Sequence, residues 1–394
     1  MRFLPSVYHV SRLVAGFCLM GVSSGAIAAT ASPSGTAGTL TSSQSLPDAF
    51  TLPDAGRSLR ITYLSTNGIT GKGLVPVTAE VILPTGKPPA GGWPIVAWAH
   101  GTVGVADRCA PSNNPWSARN KRYLSEWMKR GFAVVGTDYQ GLGTPGTHPY
   151  LNTRVEAYSL LDGVKAALAS VPDLQNKIMI VGQSQGGGAA FASAAFAPTY
   201  APELNIRGTV ATGAPYITPE LLKQMATAPD NAPYNPVIVY ALYLAQGLSG
   251  YDTAFKPESV FTAKAMPAYR AAANLCVYEL TDKVKEDGLN FSNSLKPDFA
   301  KNLAPALQAM QYPTMHLAQP LFMGTGELDK DVPPPLQYGL VKAACAAGTV
   351  VQAHVYKGLN HDQTVNASLP DSASFTQAVM NGQTVTPQCT PTPE

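Results

Sequence analysis

Ser184 lies in the segment Gly-Gln-Ser-Gln-Gly, residues 182–186, which matches the pattern G-x-S-x-G. An apolar run, residues 178–181, precedes the segment, and small residues at 186–190 follow it. In that setting the pattern is typical of a nucleophilic serine on a sharp turn between a strand and a helix, because only small neighbours let the turn close. A second match at residues 21–25 lacks these flanking elements. We therefore predict that Ser184 is a nucleophile, the alternative being a structural Gly-rich turn.

A serine hydroxyl is a poor nucleophile, so it needs a general base. His361 is the predicted base, because it follows the last predicted strand in the segment Gly-Leu-Asn-His-Asp. The base comes last in the chain order serine, acid, histidine. His354 lies within a predicted strand and is predicted to be structural, and His148 and His316 precede every acid candidate, so their chain order is wrong for the base.

The base in turn needs a carboxylate that orients it. Glu327, Asp329 and Asp331 all follow the strand that precedes the last one. Asp329 is the predicted acid, because it stands three residues before Val332-Pro333. This arrangement is frequent for the acid in enzymes that use a serine nucleophile and a histidine base. Asp331 is the main alternative.

The reaction also needs donors for a developing oxyanion. The segment His100-Gly101-Thr102 ends a predicted strand, and a His-Gly turn at this place commonly shapes an oxyanion hole. The predicted donors are the backbone N–H groups of Thr102 and of Gln185, which begins the helix after the serine.

The elements that must position these residues alternate between short apolar strands and helices. Strands are predicted at residues 59–64, 75–83, 95–99, 132–137, 177–181, 206–212, 320–323 and 350–355, and helices at 118–130, at 154–170 and from the serine turn to about 196. This alternation predicts the α/β class, with a mostly parallel central sheet and helices on both faces.

The alternation stops for about a hundred residues in the middle of the chain. Residues 216–312 are rich in Ala, Tyr and Pro, and we predict that they form an inserted helical cap or lid. The core is then made of residues 48–215 and 313–382, and residues 383–394 form a C-terminal tail or flap. Insertions of this kind often lie over an active site, since ligands bind at the carboxyl ends of parallel strands.

The N-terminus has the layout of a secretory signal peptide, residues 1–28: two arginines, an apolar run of about ten residues, and an Ala-x-Ala site. A buried N-terminal helix is the alternative. Residues 29–47 are predicted to be a flexible lead-in. After cleavage four of the five cysteines remain, and this even number in a secreted or periplasmic protein predicts two disulfides, with free thiols as the alternative.

The composition excludes some functions. Only 13% of the residues are charged, the net charge is +2, and the two arginines of residues 1–28 account for it. The chain shows no lysine or arginine cluster, so we expect no binding to nucleic acid or to an anionic membrane surface. No transmembrane segment is predicted. Without an H-E-x-x-H motif, a Cys–His cluster, a phosphate loop or a dinucleotide fingerprint, we also expect no metal and no cofactor.

These segments together resemble the secretory lipase family, of the yeast lipase A type with its bacterial relatives, within the α/β-hydrolase superfamily. The resemblance rests on residues 100–102 and 109–112, on 182–187, on Asp329 before Val332-Pro333, and on 358–361. It implies an α/β-hydrolase fold with a helical cap, and hydrolysis of carboxylic esters. It also implies the disulfides Cys109–Cys276 and Cys345–Cys389. Gln185 stands where the yeast pattern has glycine.

The predicted function is therefore hydrolysis of neutral, apolar esters, including lipid esters at an oil–water interface, by a monomeric secreted enzyme. Two other functions stay open. A serine peptidase of the same superfamily would carry an added propeller or acidic amine-binding residues, and neither is visible. A non-catalytic binding protein of this fold would lack a member of the triad, whereas Ser184, Asp329 and His361 are all present.

Overall fold

A nine-stranded sheet organises the part of the chain that the computed structural model describes, which is residues 35–218, 220–222 and 232–391. The predicted signal peptide lies outside the described residues. The strands are β1 (Leu40–Ser45), β2 (Ala55–Thr66), β3 (Leu74–Pro84), β4 (Trp93–Ala99), β5 (Ala133–Thr137), β6 (Leu174–Gln183), β7 (Ile206–Thr212), β8 (Leu321–Gly326) and β9 (Val351–Tyr356).

Twelve α-helices complete the described elements. They are α1 (Ala118–Lys129), α2 (Thr153–Ser170), α3 (Gln185–Tyr200), α4 (Val237–Ser249), α5 (Met266–Ala272), α6 (Val277–Glu286), α7 (Phe291–Ser294), α8 (Phe299–Asn302), α9 (Ala304–Ala309), α10 (Pro334–Ala346), α11 (His361–Ala367) and α12 (Leu369–Met380). Short 3₁₀ turns lie at Asp48–Phe50, Asp107–Cys109, Pro111–Asn113 and Pro257–Ser259.

The strand order is β1-β2-β3-β5-β4-β6-β7-β8-β9. The first four strands of this order pair antiparallel, and all pairs from β5 to β9 are parallel. Parallel strands need crossover connections, which the helices supply. The predicted α/β class with a mostly parallel sheet is confirmed, as are the eight predicted strands.

Both faces of the sheet are covered by helices. In β4, Ile95 and Ala97 pack into the same core as α2, α3 and α10, whereas Val96 and Trp98 pack on the opposite face with α1 and α12. Successive side chains of a strand point to opposite faces, so a continuous apolar run fills two cores at once. Because β5 to β9 run parallel, their carboxyl ends share one edge of the sheet.

Helices α4 to α9 all lie between β7 and β8, in the segment that the sequence predicts to be a cap. They enclose a hydrophobic core of their own, which includes Leu242, Phe261, Leu280 and Leu303. One antiparallel bridge, Gly104–Cys276, links this insertion to the loop after β4.

The prediction of a flexible lead-in over residues 29–47 is wrong for its second half. Residues 40–45 form β1, which pairs antiparallel with β2 at the edge of the sheet. The burial pattern explains the error: Leu40 is partly buried, and the remaining five residues of the strand are exposed. Such a strand is held by its backbone hydrogen bonds to β2, so its polar side chains carry no apolar pattern.

The cysteines form two bonded pairs. Cys109 and Cys276 are joined across a sequence separation of 167 residues, and Cys345 and Cys389 across 44. These are the pairs that the resemblance implies. The first connects the loop after β4 to the insertion, and the second fixes the tail, where Gln388 bridges Gln352 of β9.

Candidate active site

Ser184 stands at the turn between β6 and α3, with φ 60° and ψ −125°. A non-glycine residue in this region is strained, and such strain persists only where the surroundings enforce it. Only glycine fits at the two positions that flank the turn, Gly182 and Gly186. A Cβ at Gly182 would lie 1.9 Å from the carbonyl oxygen of Gly186, and one at Gly186 would lie 1.9 Å from that of Ala99. The sequence thus forms this turn because no side chain fits beside it.

His361 is the first residue of α11, and Asp329 lies in the loop after β8. Asn360 caps α11 by accepting a hydrogen bond from the backbone N–H of Gln363, which fixes where the helix begins. His361 Nδ1 donates to Asp329 Oδ2 at 2.7 Å, and both side chains are buried. The predicted base and its predicted orienting carboxylate, 32 positions apart in the chain, are therefore joined by a hydrogen bond.

Asp329 accepts four hydrogen bonds. Its Oδ1 accepts from the backbone N–H groups of Asp331 (3.0 Å) and Val332 (2.9 Å), and its Oδ2 accepts from Gln337 Nε2 (2.9 Å) as well as from His361. Donors on every side hold the carboxylate in one orientation. Asp331, the alternative acid, instead accepts a hydrogen bond from the Tyr240 hydroxyl of α4.

The pKa of His361 is raised above its ordinary value. Burial alone lowers the pKa, but the hydrogen bond and charge of Asp329, with smaller contributions from Asp331 and Asp362, outweigh it. The site therefore favours the imidazolium form that arises when His361 takes a proton.

The Nε2 atom of His361 has a partner that the sequence does not reveal. It lies 2.8 Å from Nε2 of Gln183, the residue before Ser184. Within the described residues, the Ser184 hydroxyl has no hydrogen-bond partner. Gln183 also accepts a hydrogen bond from Nη2 of Arg119 in α1, at 3.2 Å. In the sequence Gln183 is only a variable position of G-x-S-x-G, and the two partners are distant along the chain.

The two segments that carry the predicted oxyanion donors both lie beside Ser184. A Cβ at Gly101 would lie 3.5 Å from Cβ of Ser184, so the chain after β4 passes close to the serine. Thr102 follows, and its hydroxyl lies 2.6 Å from that of Tyr150. Gln185 is the first residue of α3, where a backbone N–H has no partner inside the helix. His100 Nδ1 donates to the carbonyl oxygen of Gly101 at 2.7 Å, which supports this turn.

Buried polar side chains hold the side chain of Gln185. Its Nε2 donates to Glu156 Oε1 (2.8 Å) and to His148 Nε2 (3.1 Å), and His148 Nδ1 donates to the carbonyl oxygen of Gln140 (3.0 Å). Burial raises the pKa of Glu156 to about 8 and lowers that of His148 to about 4. Its place before the acid in the chain excludes His148 as the base, so the sequence gives it no other role. The sequence signal for Glu156 is an acidic residue within the apolar pattern of α2.

Two cavities are lined by residues of the candidate site. A cavity of about 60 Å³ adjoins Ser184 and Gln185 and is lined mainly by apolar groups, including Leu336 and Val237. A larger cavity of about 290 Å³ is lined by Gly101, Thr102, Trp116, Arg119 and Cys276, among others. Of these two cavities, the smaller one is lined by Ser184 itself.

Within the described residues, Asp329, Asp331 and His361 bring three ligand-type atoms within 4.8 Å of one another. Two of these residues already bond to each other through Asp329 Oδ2 and His361 Nδ1. The acid–base pair accounts for this cluster without an ion.

Residues 118–285 match the family model of secretory lipases. A curated relative, the secreted triacylglycerol lipase LIP4 of Malassezia globosa, is 25% identical over 187 residues, which is 43% of this chain and 38% of the relative. The chain thus matches about two fifths of the length of that relative. The resemblance to the secretory lipase family is confirmed.

Solved structures cover more of the chain. Candida antarctica lipase A in its closed state has a TM-score of 0.72 and 23% identity, over 91% of this chain and 86% of the lipase. The rice cell wall degrading esterase LipA of Xanthomonas oryzae has a TM-score of 0.67 and 19% identity, over 89% and 99%. The fold is that of the α/β-hydrolases. Ser184 follows β6, Asp329 follows β8 and His361 follows β9, so all three lie at the carboxyl edge of the parallel strands.

Proposed function

We propose that this chain is a carboxylic-ester hydrolase of the lipase and esterase type, with Ser184 as nucleophile. The observation that carries the proposal is the strained turn of Ser184 next to the hydrogen-bonded pair of His361 and Asp329. A strained serine between two sterically required glycines at the carboxyl edge of a parallel sheet is the arrangement that acyl transfer needs.

The reaction proceeds by an acyl-enzyme. Ser184 Oγ attacks the ester carbonyl while His361 Nε2 takes the hydroxyl proton, and Asp329 stabilises the imidazolium. The backbone N–H groups of Thr102 and Gln185 stabilise the oxyanion, and His361 then donates its proton to the leaving alcohol. A water molecule repeats the cycle, which releases the acid and restores Ser184.

The acyl group occupies the cavity next to Ser184. Its lining of Leu336, Val237 and Ile217 favours an apolar, uncharged acyl group. A volume of about 60 Å³ is well below the roughly 300 Å³ at which ligand pockets usually begin. We therefore expect short acyl groups to be the best substrates in this conformation.

We further propose that the enzyme is exported. The match to secretory lipases, the secreted relative, the N-terminal signal pattern and the two disulfides support this location. In the described part of the chain, none of the helices combines the length and apolarity that crossing a membrane requires.

A serine replacement tests the proposal. Ser184→Ala should fold and should lose at least about 10³-fold in kcat/KM for p-nitrophenyl butyrate. A fluorophosphonate probe should label the unmutated protein at Ser184 and leave the variant unlabelled. The matched control is Ser193→Ala in α3, the helix that follows Ser184, because the Ser193 hydroxyl only donates to the carbonyl oxygen of Ala189. Retention of most activity in Ser184→Ala would refute the assignment.

A further inference from the structure

Gln183 is a buried side chain between the candidate base and an arginine. It is 2% exposed, its Nε2 lies 2.8 Å from His361 Nε2, and its Oε1 lies 3.2 Å from Arg119 Nη2. Arg119 is itself fixed, because Nη1 pairs with Asp362 and Nε donates to Asn120 Oδ1 at 3.0 Å. These contacts leave the amide of Gln183 one orientation.

The chemistry of these partners determines the protonation of His361. A guanidinium can only donate hydrogen bonds, so the oxygen of the Gln183 amide must face Arg119. The NH₂ group then faces His361, and because that group also only donates, His361 Nε2 must accept. The ring proton therefore sits on Nδ1, which faces Asp329. This is the neutral form that a general base requires.

We propose that Gln183, oriented by Arg119, is a positioning residue that holds His361 in this neutral form until Ser184 takes over the hydrogen bond to Nε2. The proposal rests on the proposed function. During attack a bond forms between Ser184 Oγ and the ester carbon, and the hydroxyl proton moves to Nε2. A protonated Nε2 can no longer accept from Gln183, so that contact breaks before or during proton transfer.

The contact between Gln183 and His361 opposes the effect of the negative charges around the His361 ring. Asp329, Asp331 and Asp362 favour the imidazolium, whereas the Gln183 amide and the Arg119 cation favour the neutral ring. A neutral hydrogen bond contributes about 0.5–1.5 kcal/mol, and one pKa unit is about 1.4 kcal/mol. Loss of the amide should therefore raise the pKa of His361 by about 0.5–1 unit.

NMR titration of ring-labelled histidine measures this pKa directly. The inactive Ser184→Ala protein serves as the background, and His361→Gln identifies the signal. Gln183→Met removes the amide and nearly keeps the volume, and it should raise the pKa of His361 by about 0.5–1 unit. Gln183→Glu keeps the shape and places a carboxylate beside the ring, so it should raise the pKa further. If Gln183→Met does not fold, Gln183→Leu, which also removes the amide, takes its place.

Arg119→Met tests the second half of the proposal. It should also raise the pKa of His361, because the freed amide can turn its oxygen toward the ring. In the Gln183→Met background the same replacement should have a smaller effect, since only the charge of Arg119 remains to be lost. Arg122→Met, an exposed position on the same helix, is the control and should leave the pKa unchanged.

Two results overturn the proposal. A pKa of His361 that is unchanged in Gln183→Met shows that the amide does not act on the base. Equal effects of Arg119→Met with and without Gln183 show that Arg119 acts by its charge alone. With Ser184 restored, the acidic limb of the kcat/KM profile should move to higher pH in Gln183→Met, as the titration does. If the unmutated protein hydrolyses no ester, the proposed function is refuted. The NMR titration still tests the effect of Gln183 on the pKa of His361.

Discussion

Replacement of Asp329 by asparagine gives the sharpest test of the triad, because all four partners of the carboxylate are donors. The NH₂ group of asparagine must face two of them. On the Oδ1 side it would leave two backbone N–H groups without an acceptor. On the Oδ2 side it meets only Gln337, which keeps its bond to the carbonyl oxygen of Val332, and His361, which can change tautomer. The second orientation therefore has the lower free energy.

That orientation disables the base. His361 Nδ1 would accept from the introduced amide, so the ring proton would move to Nε2, which could no longer accept a proton from Ser184. We expect kcat to fall by about 10³–10⁴, the loss typical of a triad base held in the wrong tautomer. Two hydrogen bonds are lost, the one between residue 329 and Gln337 and the one between His361 and Gln183. Because each contributes about 1 kcal/mol, the free energy of unfolding should fall by only about 2 kcal/mol.

The assay is hydrolysis of p-nitrophenyl butyrate, with a thermal melt of each variant to show that it is folded. Asp331→Asn is the matched control, because asparagine can still accept the hydrogen bond from the Tyr240 hydroxyl. Its kcat should stay within about threefold of the unmutated protein, since Asp331 makes no hydrogen bond to His361. The reasoning is refuted if Asp329→Asn loses less than about tenfold, or if Asp331→Asn is the more damaging change.

Three further predictions concern stability and specificity. Burial raises the pKa of Glu156 to about 8, so folding opposes its ionisation and stability is lost as the pH rises from about 4.5 to 8. Glu156→Gln should thus raise the free energy of unfolding by at least about 1 kcal/mol at pH 8 and leave it unchanged at pH 4, as denaturant titration at both pH values will show. Replacing both members of Cys109–Cys276 with alanine should destabilise the protein by about 1 kcal/mol more than replacing Cys345–Cys389, because the first pair closes a loop of 167 residues and the second one of 44; equal urea midpoints would contradict this. On esters from acetate to palmitate, kcat/KM should peak at short acyl chains, and Leu336→Ala should move the peak to longer ones.

Some elements could be predicted from the sequence because their signals are local. Strands such as β4 are continuous apolar runs, and the turn at Ser184 requires glycine on both sides for steric reasons that a short segment displays. β1 could not be predicted, because five of its six side chains are exposed and its hydrogen bonds are made by the backbone. A sequence pattern of apolar residues reflects burial, so an exposed edge strand shows no such pattern.

The sequence by itself determined the class of the sheet, the serine turn, and the chain order of Ser184, Asp329 and His361. Only the tertiary structure decided which carboxylate faces the base, since Asp329 and Asp331 are two residues apart and differ in what surrounds them. It also brought Gln183 to His361 across 178 positions and Glu156 to Gln185 across 29. Hydrogen bonds between distant buried side chains depend on where the folded backbone places them, and no local pattern encodes that placement.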